Sequence, residues 1–151
     1  MRRLGAVFTL ILFVLTFSQS RADLVWSAET GWRIEGGVLS GLVGEDARNA
    51  LELMNRARQA EEDGRTRSAL KTYTRVTRAY TNSIYSPEAF YRIAKIRLDR
   101  KQYYKAFEAY QAMIIRYPNN ERFNEVIGEQ YRIATALMDG ARNRIWGIIP
   151  G

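Results

Sequence analysis

The densest run of groups able to do acid–base chemistry is Glu61-Glu62-Asp63, with Asp139 standing apart from it. Hydrolases that work with two carboxylates hold them on opposite sides of a substrate, and three consecutive acids at a helix end do not reach that arrangement. The rest of the catalytic alphabet is thin. Cysteine and histidine are both absent. That removes thiol nucleophiles, thiolate-bound zinc and iron–sulfur sites, the Ser-His-Asp triad and the paired-histidine metalloprotease motif. Gly36-Gly37 is not followed by the Lys-Ser/Thr pair of a phosphate-binding loop. No enzymatic activity, metal or cofactor is expected, and the weight of the reading falls on binding.

Charge gives little help until the ends are separated from the middle. The 151 residues hold 23 Lys+Arg and 16 Asp+Glu, a formal charge of +7. Met1-Arg2-Arg3 is a basic start, Leu4 to Phe17 carries no charge, and Ser20 and Ala22 are small residues placed as at a cleavage site. That order is the one found in secretory signal peptides. A membrane span needs about 20 apolar residues, so residues 1–22 read as an export signal in preference to an anchor. Arg2, Arg3 and Arg21 belong to it together with no acid, which leaves residues 23–151 at +4. A weakly basic exported chain without cysteine fits a bacterial envelope protein, soluble in the periplasm or at the periplasmic face of the outer membrane. It is not lipid-anchored through cysteine, and nucleic acid is not an expected partner.

The elements that must position any binding residues follow from the hydrophobic pattern. Residues 23–44 are a glycine-rich arm or small hairpin, with strand-like runs at Leu24–Trp26 and Trp32–Ile34 around Glu29-Thr30-Gly31. Trp26 and Trp32 are candidate partner or membrane contacts there, unless they pack on the first helix. From Glu45 the chain reads as helical. Ala50, Leu53, Met54, Ala57 and Ala60 form one stripe, and Gly64 stops that helix. A second helix carries Ala69, Tyr73 and Val76, and a third starts at Ser86-Pro87-Glu88. A fourth ends at Pro118-Asn119-Asn120, and a fifth begins near Glu121 with its stop expected at Gly140.

The fourth helix repeats the second, and the fifth repeats the third. Ser68-Ala69-Leu70-Lys71-Thr72-Tyr73 aligns with Lys105-Ala106-Phe107-Glu108-Ala109-Tyr110, 37 residues on. Tyr91-Arg92-Ile93-Ala94 recurs unchanged as Tyr131-Arg132-Ile133-Ala134, 40 residues on. Helix pairs at this spacing are the mark of a helical-hairpin repeat.

The pattern resembles the tetratricopeptide repeat. That family has a small residue within its first helix, an alanine and then an aromatic in its second, and a proline near its end. The unit over about 87–118 matches at Ala94, Ala106, Tyr110 and Pro118. The unit over about 47–80 matches at Ala57, Ala69 and Tyr73, with Thr81 where the proline would stand. A half unit covers 124–139, so repeats occupy 45–140 and a basic and apolar tail occupies 141–151. The fold implied is all-α, a short tetratricopeptide-repeat α-solenoid. With so few units, the chain is expected to be incomplete or to lean on a partner.

Arg116-Tyr117-Pro118-Asn119, together with the export signal and the stretch from Ala136 to Trp146, is similar to the outer-membrane protein assembly factor BamD family. The lipid-bearing cysteine of that family is missing. The resemblance implies a non-enzymatic periplasmic scaffold whose partners are barrel-assembly components and unfolded outer-membrane protein peptides. The alternative is a soluble adaptor of the Tol-Pal cell-division and peptidoglycan-associated system. The repeat further implies a concave groove lined by the first helix of each unit. Met54, Arg58, Glu62, Tyr91, Lys95, Leu98, Tyr131 and Met138 are its candidate contacts, with Tyr91 and Tyr131 as rungs of a ladder. Arg142, Arg144 and Trp146 are candidate contacts to a partner or, peripherally, to a membrane.

Overall fold

The computed structural model describes residues 23–35 and 44–146, with only the backbone described at 23, 35 and 142–146. The export signal and residues 36–43 and 147–151 lie outside the described residues. Two strands precede five helices: β1 (Asp23–Ser27), β2 (Gly31–Glu35), α1 (Glu45–Glu62), α2 (Thr66–Ala79), α3 (Tyr85–Asp99), α4 (Tyr103–Arg116) and α5 (Phe123–Trp146). Each helix packs on the next in chain order, and the helical part is a short tetratricopeptide-type solenoid.

The packing follows from small residues at matched places. Ala57 and Ala69 are fully buried where α1 meets α2, as are Ala94 and Ala106 where α3 meets α4. Without bulk at these points the helix axes approach closely. Tyr73 and Tyr110, also fully buried, fill the space left beside each hairpin. One core cluster forms around Met54, Ala57, Tyr73 and Val76 and a second around Ala94, Tyr110, Met113 and Val126. Ile93 packs against both and so joins them.

Helix ends repeat as faithfully as helix faces. After α1, the Gly64 amide reaches the Glu61 carbonyl at 3.0 Å and the Arg65 amide reaches the Ala60 carbonyl at 2.8 Å. After α3, Lys101 and Gln102 make the same two bonds to Leu98 and Arg97, both at 2.8 Å. Both are Schellman-type stops, which need a left-handed residue. Gly64 supplies it at φ 71° and Lys101 at φ 56°.

Gly140 does not end α5. The helix continues through it, and through Gly128, to Trp146. A helical glycine costs only about 1 kcal/mol, and the flanking Ala136, Leu137, Met138 and Ala141 favour helix. The segment read as a tail therefore starts as the last turns of α5.

The two strands pair antiparallel with Trp26 opposite Trp32 and Leu24 opposite Ile34. Their turn closes on Gly31 at φ 72°, a left-handed conformation that glycine adopts without strain. Trp32 is 6% exposed and packs in the first core cluster. It packs on the helices, the alternative that the sequence held open beside a partner contact.

Candidate functional site: a groove between the hairpin and the first helices

The hairpin sits against α1 by its second strand. The Trp32 amide donates to Asn55 Oδ1 at 2.7 Å. That amide therefore points away from β1, toward the helix. In an antiparallel pair, opposed residues either bond each other or both turn outward. Trp26, opposite Trp32, thus turns its backbone N–H and C=O away from β2, and Leu24, two residues along, does the same. Among the described residues the sheet has two strands, so no strand pairs with this edge of β1.

The free edge borders a groove. A cavity of about 420 Å³ lies between β1 and the side chains Arg58, Glu88, Tyr91, Arg92 and Arg122. A second cavity of about 670 Å³ adjoins it, sharing Leu24, Glu88 and Arg122 and extending along the loop that carries Pro118.

Three guanidinium groups line the groove, and each is held. Arg58 lies over the Trp26 ring at 5.2 Å and within 3.3 Å of both Glu61 and Glu62. Arg122 lies over the Tyr91 ring at 4.3 Å, 3.3 Å from Glu88 and 3.4 Å from Glu125. Arg92 donates to Glu61, its Nε at 3.2 Å. Stacking and pairing fix the planar forks, which is the state in which arginine binds carbonyl or carboxylate oxygens with least loss of freedom. Burial pushes the Glu88 carboxyl up, against the opposing pull of Arg122 and Arg92. The Tyr91 hydroxyl donates to Glu125 at 2.7 Å, and burial first, then this bond, pushes its pKa up to about 12.

The expected groove residues divide. Arg58, Tyr91 and Trp26 border the cavity, and Glu62 stands beside Arg58. Met54 is 0% exposed in the first core cluster, so it cannot line an open groove. The stripe it belongs to is the face of α1 turned toward α2. Leu98 packs in the second cluster, and Lys95 is half-buried one turn beyond Tyr91. Tyr131 and Met138 stand on α5 at 75% and 71% exposure, outside the groove. Tyr91 and Tyr131, the expected rungs of a ladder, sit in unlike surroundings. Tyr91 is covered by the Tyr110 ring of α4, 6.0 Å away, whereas no described helix takes the place of α4 beside Tyr131. The side chains of Arg142, Arg144 and Trp146 lie outside the described residues.

Two groove residues escaped the sequence reading. Arg92 sits inside the repeated Tyr-Arg-Ile-Ala, where it looks like a solvated position. Arg122 lies in the loop after Pro118, where the three extra residues of the second alignment fall. The acidic run has a structural role. Glu61 also accepts a hydrogen bond from the buried Tyr73 hydroxyl at 3.0 Å. Among the described residues no cluster of acids is arranged to hold a metal ion, and no helix is long and apolar enough to cross a membrane.

Neither the curated proteins nor the solved structures contain a match to the chain. Residues 88–120 match the tetratricopeptide repeat family model. The match covers α3 from Glu88, all of α4 and the loop to Asn120, and its first helix, α3, supplies Glu88, Tyr91 and Arg92 to the groove. The chain thus carries a tetratricopeptide repeat, a fold that serves protein–protein interaction.

Proposed function

We propose that the protein is a non-enzymatic periplasmic scaffold, resembling BamD in outer-membrane barrel assembly, whose groove holds an extended segment of a partner protein. The observation that carries this reading is the unpaired edge of β1 facing three fixed arginines across a cavity. An extended chain laid in the cavity adds a third strand to the hairpin, with main-chain bonds to Leu24 and Trp26. Its carbonyl or carboxylate oxygens meet Arg92 and Arg122. Trp32 borders the same cavity, and its buried Nε1–H has no acceptor among the described residues. The export-signal pattern of residues 1–22 supports the compartment, and the Tyr117-Pro118 unit boundary supports the family likeness.

The test is capture from a bacterial envelope extract with the full chain and with Arg122→Ala. Barrel-assembly components are expected with the first and depleted with the second. Recovery of Tol-Pal proteins in their place, or equal recovery by both chains, overturns the reading.

A further inference from the structure

The second helices of the two hairpins, α2 and α4, present an outer face that the groove does not use. On α2 this face is a stripe of cations. Arg67, Lys71, Arg75 and Arg78 recur at helical spacing, all exposed, and α2 contains no acid. Their charge of +4 equals the entire net charge of residues 23–151. None of the four pairs with a carboxylate among the described residues, whereas every groove arginine does. A shallow depression of about 690 Å³ runs along the stripe, bordered by Ser68 and Thr72 hydroxyls and by Arg56 and Arg97 from the flanking helices. Arg56 is held by Glu52 and Arg97 by Gln102.

The same face on α4 differs in kind. Moving 37 residues along the repeat places Tyr104 at the position of Arg67 and Ile115 at the position of Arg78. Both are bare, at 66% and 67% exposure. They are eleven residues apart, about 16 Å along a helix, with the exposed Glu108 between them. A protein interface concentrates its affinity in a central cluster of buried aromatic and aliphatic anchors. This face has none at its centre. It has a band of unpaired cations beside a separate tyrosine and isoleucine. That is the composition of a surface that rests on anionic headgroups, with charge for attraction and amphipathic or apolar side chains at the interface.

We propose that the outer face of α2 and α4 docks the protein on an anionic phospholipid surface. The stripe on α2 supplies the attraction, and Tyr104 and Ile115 enter the headgroup layer. The candidate membrane contacts offered by the sequence, Trp26, Trp32, Arg142, Arg144 and Trp146, lie elsewhere in the chain. The inference is independent of the groove, which lies on the first helices, so an Arg122→Ala chain is expected to dock normally.

Flotation of the full chain with vesicles tests it. Vesicles of phosphatidylcholine mixed with phosphatidylglycerol are expected to carry the chain, and to carry much less of it as salt is raised. Residues 4–17 give any full chain some affinity for lipid, so the readout is the phosphatidylglycerol-dependent part. Lys71→Gln with Arg75→Gln is expected to lower that part about 25-fold, near fivefold for each cation lost. Both positions are exposed, and an unchanged circular dichroism spectrum verifies the fold. Tyr104→Ala with Ile115→Ala is expected to lower the part that survives high salt. Equal flotation with both lipid mixtures, an unaffected Lys71/Arg75 variant, or tighter binding to soluble polyglutamate than to the vesicles overturns the proposal.

Discussion

Glu61 of α1 receives the guanidinium of Arg92 from α3, 31 residues away in sequence, and so ties the first hairpin to the second. The same carboxylate accepts the Tyr73 hydroxyl from α2 and lies 3.3 Å from Arg58. Three helices therefore converge on one acid whose side chain is 18% exposed. Glu61→Ala leaves the Arg92 guanidinium and the buried Tyr73 hydroxyl without their acceptor, while Arg58 keeps Glu62, and it is expected to cost about 2–3 kcal/mol. Arg92→Met removes one partner while Arg58 and Tyr73 remain, and its cost is expected to be about half as large. Urea unfolding of both variants checks the order. A larger loss for Arg92→Met would show that Glu61 does not hold the junction.

The matched helix stops give a prediction in the opposite direction. Lys101 adopts φ 56°, where a side chain strains the backbone, while its counterpart Gly64 at φ 71° does not. Lys101→Gly is expected to stabilise the fold by roughly 0.5–1 kcal/mol, after the greater freedom of glycine in the unfolded chain is set against the strain relieved. Gly64→Ala is expected to destabilise by about 1 kcal/mol. A Cβ there meets nothing within 4 Å, so its cost is conformational alone. Thermal unfolding of the pair should move the midpoint up for one and down for the other.

How much of this was legible depends on the range of the signal. The helices and their pairing could be read because apolar spacing and the repeated Tyr-Arg-Ile-Ala are local in sequence. The repeat also indicated where small residues would let helices meet, at Ala57, Ala69, Ala94 and Ala106. Direction was harder. Met54 belongs to the apolar stripe, but the stripe does not say which helix it faces, and the structure buries it against α2. Arg92 and Arg122 were missed because Glu61 and Glu88 lie more than thirty residues away, so that nothing local marks either arginine as part of a groove. Gly140 misled because a glycine penalty is small against the helix formers on either side. Lys101 gave no sign of its left-handed backbone, since that signal ordinarily comes from glycine.

The hairpin depends on one close approach. A Cβ added to Gly31 would lie 2.7 Å from Asn55 Oδ1, the atom that accepts the Trp32 amide. The residue also needs φ 72°. Gly31→Ala is therefore expected to cost about 2 kcal/mol of hairpin docking, from backbone strain and from the displaced hydrogen bond. The solenoid does not need the hairpin for its helix-to-helix contacts. Helical circular dichroism should persist while the emission of the buried Trp32 shifts to the red. Loss of both signals together would show that the hairpin and the helices form one cooperative unit.

Alkaline pH separates the tyrosines from the rest of the fold. Burial is the main cause that raises the pKa of Tyr73, Tyr91 and Tyr110 above the usual phenol value, and for Tyr91 the result is about 12. In the unfolded chain these groups ionise near 10. Because the folded value is the higher one, the native state keeps its protons longer. The stability they contribute is full below about pH 10 and is lost as pH rises toward the folded values. Tyr91→Phe removes this dependence at one site together with the bond to Glu125. At pH 8 the variant is expected to be less stable by about 1 kcal/mol. Between pH 10 and about 12 its disadvantage should shrink, because the wild type alone loses the Tyr91 contribution over that interval. Lysine deprotonation is common to both chains and cancels in the difference. Urea midpoints measured across the interval decide it: curves that remain parallel to the alkaline end would show that Tyr91 titrates alike in the folded and unfolded states.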